Sequence, residues 1–167
     1  MENLKVVIAD DEERICQLIQ ALVNWDGLGI EIAEMAHNGI EAFDVVQKVR
    51  PDILITDIRM PGLSGLELIE KVKAACPEME IIIISGYAHF EYAQQAIRFG
   101  VGHYLLKPIN KAELTETLEK LKSKIGQRQE SERDKQVLIQ KAQKNEDYMR
   151  SKLLTQLLNG EPVSLTE

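Results

Sequence analysis

Cysteine is scarce in this chain. Cys16 and Cys76 are its only two, they fit no metal-ligand spacing, and both fall in stretches of helical pattern. A disulfide framework and a thiolate metal site are excluded, and two buried, reduced thiols are expected. Long apolar runs are missing as well. The first, Val6-Val7-Ile8-Ala9, runs straight into Asp10-Asp11-Glu12-Glu13, which is no signal peptide. Nothing approaches the roughly 18 apolar residues of a membrane span, so a soluble, cytoplasmic protein is expected, without membrane contact. Positive charge is in deficit, with 20 Lys and Arg against 27 Asp and Glu and a net charge of −7. Nucleic-acid affinity rests largely on basic side chains that neutralise phosphates, so direct DNA binding by this chain is disfavoured. Neither G-x-x-x-x-G-K-[ST] nor G-x-G-x-x-G follows the first apolar run, which disfavours a nucleotide cradle.

What remains is ample for a core. Hydrophobic residues make up 44% of the 167 and charged residues 28%, which suits one ordinary domain with some chain to spare. The acidity is confined to the first part. Residues 1–125 hold 13 basic and 20 acidic residues, while 126–167 hold 7 of each.

Residues 1–125 alternate short apolar runs with helix-period stretches. The runs are Leu4–Ala9, Ile30–Ala36, Ile53–Thr56, 81–84 and 104–106. The first, third and fourth are nearly unbroken Val, Ile and Leu, as strands buried on both faces are. The second alternates apolar residues with Glu31 and Glu34 and reads as an edge strand. Three of the five helix candidates between and after the strands open on a capping-box signal: Asn38 with Glu41, Ser64 with Glu67, and Asn110 with Glu113. Gly100 is the expected stop of the fourth helix and Gly126 of the fifth. Strands and helices in alternation imply right-handed crossovers and an α/β, doubly wound parallel sheet.

The last 42 residues differ in character. Of the 21 residues 127–147, 10 are charged and 5 are Gln. No proline interrupts residues 109–161, so a helix is unobstructed. A seven-residue repeat through Leu114, Leu118, Leu121 and Ile125 meets Arg128, Glu132 and Lys135 before it regains Ile139, Ala142, Met149 and Leu153. So broken a seam argues for an exposed helical connector rather than a strong dimer zipper or a second globular domain.

In an open parallel sheet, ligands bind beyond the carboxyl ends of the strands. The first strand ends in Asp10-Asp11, the third in Asp57, the fourth in Ser85-Gly86 and the fifth in Lys107-Pro108. Each alone has an ordinary explanation, an Asp as N-cap or a Lys-Pro as a turn. Together they would bring three carboxylates, a hydroxyl and an ammonium to one rim. Two like charges about 4 Å apart repel by about 4 kcal/mol at an effective dielectric of 20. Three carboxylates must therefore take up protons or hold a cation, and hard oxygen ligands suit Mg²⁺. Such a site, with Lys107 opposite, attracts a phosphoryl group. His37, His89 and His103 show no mutual spacing for metal or catalysis. They read as a loop residue, a helix-start residue and a strand residue.

These stretches resemble the receiver domain of two-component response regulators. The residues that carry the resemblance are Val7-Ile8-Ala9-Asp10-Asp11-Glu12, Ile55-Thr56-Asp57-Ile58-Arg59-Met60-Pro61-Gly62, Ile83-Ile84-Ser85-Gly86 and Tyr104-Leu105-Leu106-Lys107-Pro108. The resemblance covers nearly all of residues 3–125 and implies a flavodoxin-like sheet of order 2-1-3-4-5 with helices on both faces and a C-terminal helical extension. It implies that Asp57 accepts a phosphoryl group from a phosphohistidine on a sensor histidine kinase. Asp10, Asp11, Asp57 and the Arg59 carbonyl would hold Mg²⁺, Lys107 would pair with the phosphoryl group or the acceptor carboxylate, and Ser85 would bond the phosphoryl oxygens. Ser85 and Tyr104 would form the switch that alters the face of the fourth helix, fifth strand and fifth helix, where a partner or a second copy docks. Arg59 and Tyr87 would flank the path of hydrolytic water, and Lys107-Pro108 would be a cis peptide.

Asn24-Trp25, Gly27-Leu28-Gly29, Ser85-Gly86-Tyr87 and Phe90-Glu91-Tyr92-Ala93 are similar to a narrower subgroup, the YesN-like regulators. There a receiver is joined to an AraC-type DNA-binding domain, and residues 151–161 resemble the connector. The expected organisation is a receiver over 1–125 and a connector over 126–167 toward a DNA-binding domain that this chain does not contain. A truncated regulator is favoured over a stand-alone receiver. Such a protein catalyses its own modification without being a turnover enzyme. Two rival readings differ in class. A phosphorylation-independent interaction module would normally have lost an acidic residue or the lysine, all of which are kept. An aspartyl-nucleophile phosphatase of the haloacid dehalogenase type needs a second Asp two residues after the nucleophile, where this chain has Arg59.

Overall fold

The computed structural model describes residues 2–86 and 89–160. Strands β1 (Leu4–Ala9), β2 (Ile30–Ala36), β3 (Ile53–Thr56), β4 (Glu80–Ser85) and β5 (His103–Leu106) alternate with helices α1 (Glu13–Leu22), α2 (Gly39–Val49), α3 (Gly65–Ala75), α4 (Phe90–Arg98) and α5 (Lys111–Leu158). The strands form one sheet in the order β2-β1-β3-β4-β5, with every pairing among the described residues parallel. This is the doubly wound arrangement that the alternation implies.

Burial follows the strand pattern. Every residue of β3 and β4 is buried, as the continuous Ile and Leu runs require of strands covered on both faces. Val7, Ala9, Leu54, Ile81 and Ile83 point to one face, where they pack with Ala42, Val45 and Val46 of α2 and Leu68, Ile69 and Val72 of α3. Because side chains alternate along a strand, Val6, Ile8, Ile53, Ile55, Ile82 and Ile84 point the other way. Cys16 and Ile19 of α1 and Leu114, Leu118 and Leu121 of α5 supply the buried apolar cover there. The edge strand β2 carries an irregularity: Val6 pairs with Ile32 but Val7 with Glu34. The extra residue, Ala33, breaks the alternation and leaves Ala33 and Glu34 both exposed.

The expected caps form. Asn38 Oδ1 accepts from the Glu41 N–H at 2.8 Å, Ser64 Oγ from Glu67 at 3.2 Å, and Asn110 Oδ1 from Glu113 at 3.1 Å. A single helical turn, Trp25–Leu28, has no counterpart in the sequence reading, because four residues are too few to show a period. Asn24 caps it through the Gly27 N–H, Gly29 ends it at φ 69°, and the Trp25 indole donates to the Gln20 carbonyl. Gly100 follows α4 at φ 83°, as expected of a stop.

Two expectations are corrected. Cys16 is buried, but Cys76 sits just past the end of α3 at the margin of the core, where it packs against the buried cluster yet is only half-buried, with the Arg50 Nη1 donating to its Sγ at 3.6 Å. Gly126 does not end the last helix, since α5 runs through it as 48 continuous residues. Gly126 is not in the left-handed region that a glycine stop adopts. A helix-interior glycine costs only about 1 kcal/mol relative to alanine, and flanking Lys, Gln, Arg and Glu are good helix formers. The division between the chain's two compact units falls between Ser123 and Lys124. Residues 129–155 are exposed. Among the described residues no helix is long and apolar enough to cross a membrane.

A Cβ added at Gly126 meets nothing within 4 Å. Gly126→Ala should therefore raise helicity measured by far-UV circular dichroism, with a gain of about 0.5–1 kcal/mol in helix stability. A loss of helicity on this substitution would mean that Gly126 ends the helix after all.

Candidate functional site

The parallel ladders run one residue past three strands. The Asp10 N–H donates to the Ala36 carbonyl at 3.0 Å, the Asp57 N–H to the Ala9 carbonyl at 3.0 Å and the Lys107 N–H to the Ser85 carbonyl at 2.9 Å. Each of these residues is thereby fixed at the carboxyl edge of the sheet, the edge where open α/β sheets bind ligands.

Lys107 organises the rim. Its Nζ lies 3.1 Å from Asp10 Oδ2 and 3.1 Å from Asp57 Oδ2. The other oxygen of each carboxylate takes a backbone donor: Glu12 N–H on Asp10 Oδ1 at 2.9 Å, Ile58 N–H on Asp57 Oδ1 at 2.7 Å. Asp10 and Asp57 are buried while Asp11 is exposed. One carboxylate oxygen from each of the three residues lies within 4.8 Å of the others. Opposite oxygens of a Mg²⁺ octahedron stand about 4.2 Å apart, so small side-chain rotations close this set on such an ion. The donors are hard oxygens, and one charge of Lys107 leaves the three carboxylates two positive charges short. A divalent ion fits on both counts.

The electrostatics record this strain. Burial pushes the Asp10 carboxyl above its ordinary value of 3.8, against the Glu12 N–H and Lys107 hydrogen bonds that pull it down, and the Asp57 charge raises it further. Burial alone would lower the Lys107 ammonium. The hydrogen bonds and charges of Asp10 and Asp57 outweigh burial and hold it above 10.5, so it is cationic throughout the physiological range. Burial and the nearby Asp10 charge push the Cys16 thiol up to about 11, and its Sγ faces the Asp10 carbonyl at 3.8 Å. That thiol stays protonated and does not act as a nucleophile.

Residues that the sequence reading passed over shape the loop after Asp57. A Cβ at Gly65 would stand 1.8 Å from the Asp57 carbonyl oxygen, and one at Gly39 would stand 1.9 Å from that of Leu63. Helix α3 therefore starts directly on the Asp57 peptide, with the Gly65 N–H donating to the Ile58 carbonyl at 2.6 Å. Thr56 Oγ1 donates to the Asp57 carbonyl at 2.9 Å. His37 is the loop residue expected, and in addition its Nδ1 lies 3.3 Å from the Asp10 carbonyl. A glycine at the first position of a helix carries no sequence sign of such contacts, which arise only when distant segments meet.

On the far side of the rim, Ser85 is fully buried and Tyr104 half-buried. Burial raises the Tyr104 hydroxyl, a hydrogen bond with Ser85 opposes it, and the charges of Asp57 and Tyr92 add to the rise. Arg59 is exposed, and its Nη2 donates to the Tyr92 hydroxyl at 3.4 Å. The structure thus brings Asp10, Asp11, Asp57 and Lys107 together, with Ser85 and Tyr104 paired beside them. Tyr87 lies outside the described residues. Lys107–Pro108 is a cis peptide.

Gly65→Ala should lower stability by about 1–3 kcal/mol, the ordinary cost of overpacking, read as a drop in the urea midpoint. An unchanged midpoint would show that the loop has slack and that α3 does not rest on Asp57.

A family model described as "Response regulator receiver domain" matches residues 6–119. The transcriptional regulatory protein YesN of Bacillus subtilis is 39% identical over 157 residues, which is 93% of this chain and 41% of that protein. The transcriptional regulatory protein HptR of Staphylococcus aureus is 37% identical over 117 residues, 70% of this chain and 46% of that protein. The chain thus spans less than half the length of these two relatives. Among solved structures, the REC domain of AraT, a response regulator from Geobacillus stearothermophilus, is 39% identical with a TM-score of 0.73, covering 77% of this chain and 99% of that one. A two-component transcriptional regulator AraC from Clostridium phytofermentans is 33% identical with a TM-score of 0.70, covering 76% and 98%.

Proposed function

The chain belongs to the response regulator receiver family of two-component systems, and from that premise we propose that Asp57 is its phosphoacceptor. The observation that carries the reading is the Lys107 ammonium held at 3.1 Å from both Asp10 and Asp57, beside a three-carboxylate set that fits Mg²⁺. An Asp57 carboxylate oxygen attacks the phosphorus of a kinase phosphohistidine. The P–N bond breaks, and its electron pair leaves with the imidazole. Phosphoryl transfer asks little covalent work of the protein beyond positioning and charge stabilisation. Asp10, Asp11, Asp57 and the Arg59 carbonyl are the proposed holders of Mg²⁺, which when bound neutralises charge on the phosphoryl oxygens. Lys107 supplies a further positive charge. The product is a labile mixed anhydride, so the signal decays and the protein is not a turnover enzyme.

Phosphorylation adds a charge of about −1.5 to −2 and three acceptor oxygens. Ser85 bonds those oxygens in this reading, which changes its hydrogen bond with Tyr104. Tyr104 lies on β5, so the response passes to the face of α4, β5 and α5. That the names of similar proteins include transcriptional regulators and an AraC regulator supports an output through a DNA-binding domain beyond residues 126–167, which serve as connector. The proposed upstream partner is a sensor histidine kinase, and a homodimer formed on the switched face is the proposed output state. The setting for such a partner is cytoplasmic.

Incubation with acetyl phosphate and Mg²⁺ should add one phosphoryl group to the intact mass. Asp57→Asn or removal of Mg²⁺ by chelator should abolish the gain. Modification of the Asn variant would move the acceptor elsewhere, and steady hydrolysis of small phosphate esters would instead indicate a phosphatase.

The raised Asp10 carboxyl gives a pH dependence of definite sign. A carboxyl whose folded value exceeds its unfolded value of 3.8 contributes stability below that value and loses it as pH rises through the folded one. Lys107, raised above 10.5, contributes fully at all lower pH values and does not alter this trend. Mg²⁺ should therefore raise the melting temperature more near neutrality than in acid, where protons compete for the carboxylates. At about 100 times its Kd the stabilisation near neutrality approaches about 2.7 kcal/mol. An increment larger in acid would contradict binding at this site.

A further inference from the structure

We propose that residues 137–158 of α5 are a docking face for a second copy of this chain, which lies antiparallel along it. The face is outside residues 6–119, the part that matches the receiver family, and the inference does not depend on the phosphoacceptor reading.

Composition divides the exposed stretch of α5 in two. Residues 127–136 hold no apolar side chain, whereas 10 of the 22 residues 137–158 are apolar. On that second stretch Ile139, Met149 and Leu153 are 57%, 58% and 41% exposed. A helix in water draws most of its stability from packing an apolar face, and here the face stands open. Large apolar side chains gathered on one exposed surface with a charged rim mark a protein contact.

The spacing suits a helix as partner. Ile139, Ala142, Glu146, Met149 and Leu153 follow one another at alternating intervals of three and four, the repeat of helices packed knobs into holes. A groove lined by Ala142, Asn145, Glu146, Met149, Arg150 and Leu153 runs along this seam. Its lining is two successive holes. Ala142, Asn145, Glu146 and Met149 frame the first, and Glu146, Met149, Arg150 and Leu153 frame the second, each at intervals of three, one and three. Arg128, Glu132 and Lys135 interrupt the same seam on its N-terminal side, so the contact is a short one confined to the apolar block rather than a zipper along the whole helix.

Size and charge select the occupant and its direction. When a second copy runs antiparallel with the two-fold axis between residues 147 and 148, its Leu153 lies opposite Ala142 and its Met149 opposite Glu146. The smallest side chain of the seam thus receives the bulk of a leucine. The Glu146 of each copy enters the second hole of the other, where Arg150 stands at a corner, and two-fold symmetry makes the pairing reciprocal. A parallel pair in register sets Glu146 against Glu146 in the seam, and like charges so placed oppose association. The antiparallel register also lays 137–158 on itself over about 33 Å of helix, and it leaves Glu132 and Lys135 outside the contact.

The test is sedimentation equilibrium of the full chain without phosphodonor or Mg²⁺, which should show reversible dimers. Leu153→Lys should weaken them about tenfold or more, since symmetry counts the change twice. Glu146→Gln should weaken them about two- to tenfold, whereas it would strengthen a parallel pair. These positions are exposed, so the melting temperature of the receiver should stay in place and separate lost association from misfolding. Direction is read by oxidation in a Cys76→Ser background. Chains carrying Ala142→Cys should cross-link to chains carrying Leu153→Cys, and neither should cross-link to itself. A chain that stays monomeric up to about 1 mM, weak even for a transient contact, overturns the proposal. So do dimers indifferent to Leu153→Lys, which form elsewhere, and self-linking of the Ala142→Cys chain in preference to the mixed product.

Discussion

One ammonium group stands between two carboxylates that folding has taken out of water. Lys107 arrives from the end of β5, Asp10 from β1 and Asp57 from β3, and the sheet order places the three strands so that a single Nζ reaches both acids at 3.1 Å. Burying an unpaired carboxylate is expensive, and pairing it with a cation offsets part of that expense. The offset is incomplete here, since the Asp10 carboxyl remains raised despite Lys107 and the Glu12 N–H. The rim is thus left wanting positive charge, which is the condition for a divalent ion and for chemistry on an anion.

The rest of the domain keeps that imbalance in place. Continuous apolar strands set Asp10 and Asp57 at the edge with ladder hydrogen bonds one residue beyond β1 and β3. Two helices begin on glycines because no side chain fits there: Gly65 against the Asp57 peptide and Gly39 against Leu63. The loop after Asp57 is clamped by backbone contact, which side-chain rotamers cannot relax. On the other side of the rim, the fully buried Ser85 and half-buried Tyr104 give the site a hydrogen-bonded pair of hydroxyls.

Much of this was legible in the order of residues. Apolar runs bounded by acids predict the strands and their carboxyl ends, because a strand buried on both faces has no place for a charge until it emerges. The caps at Asn38, Ser64 and Asn110 are local in sequence and formed as read. Local signs also misled. Gly126 resembles a helix stop, yet a glycine alone weakens a helix by too little to end it when strong formers continue on both sides. The turn at Trp25–Leu28 was too short to show a period, and Cys76, one residue past the end of α3, packs only at the margin of the core.

What the sequence determined by itself was chemistry type and fold class: acids, a hydroxyl and a lysine at successive strand ends of a parallel sheet. Periodicity and strand-end position are properties of neighbouring residues, and neighbours are what a sequence records. Tertiary structure alone decided which pairs touch. The bridging of Asp10 and Asp57 by Lys107, the glycine contacts beneath the acceptor loop, the His37 ring at the Asp10 carbonyl and the reach of Arg59 to Tyr92 all join segments far apart along the chain. Their distances follow from strand order, register and the start of each helix, which no stretch of residues encodes until the sheet has closed around it.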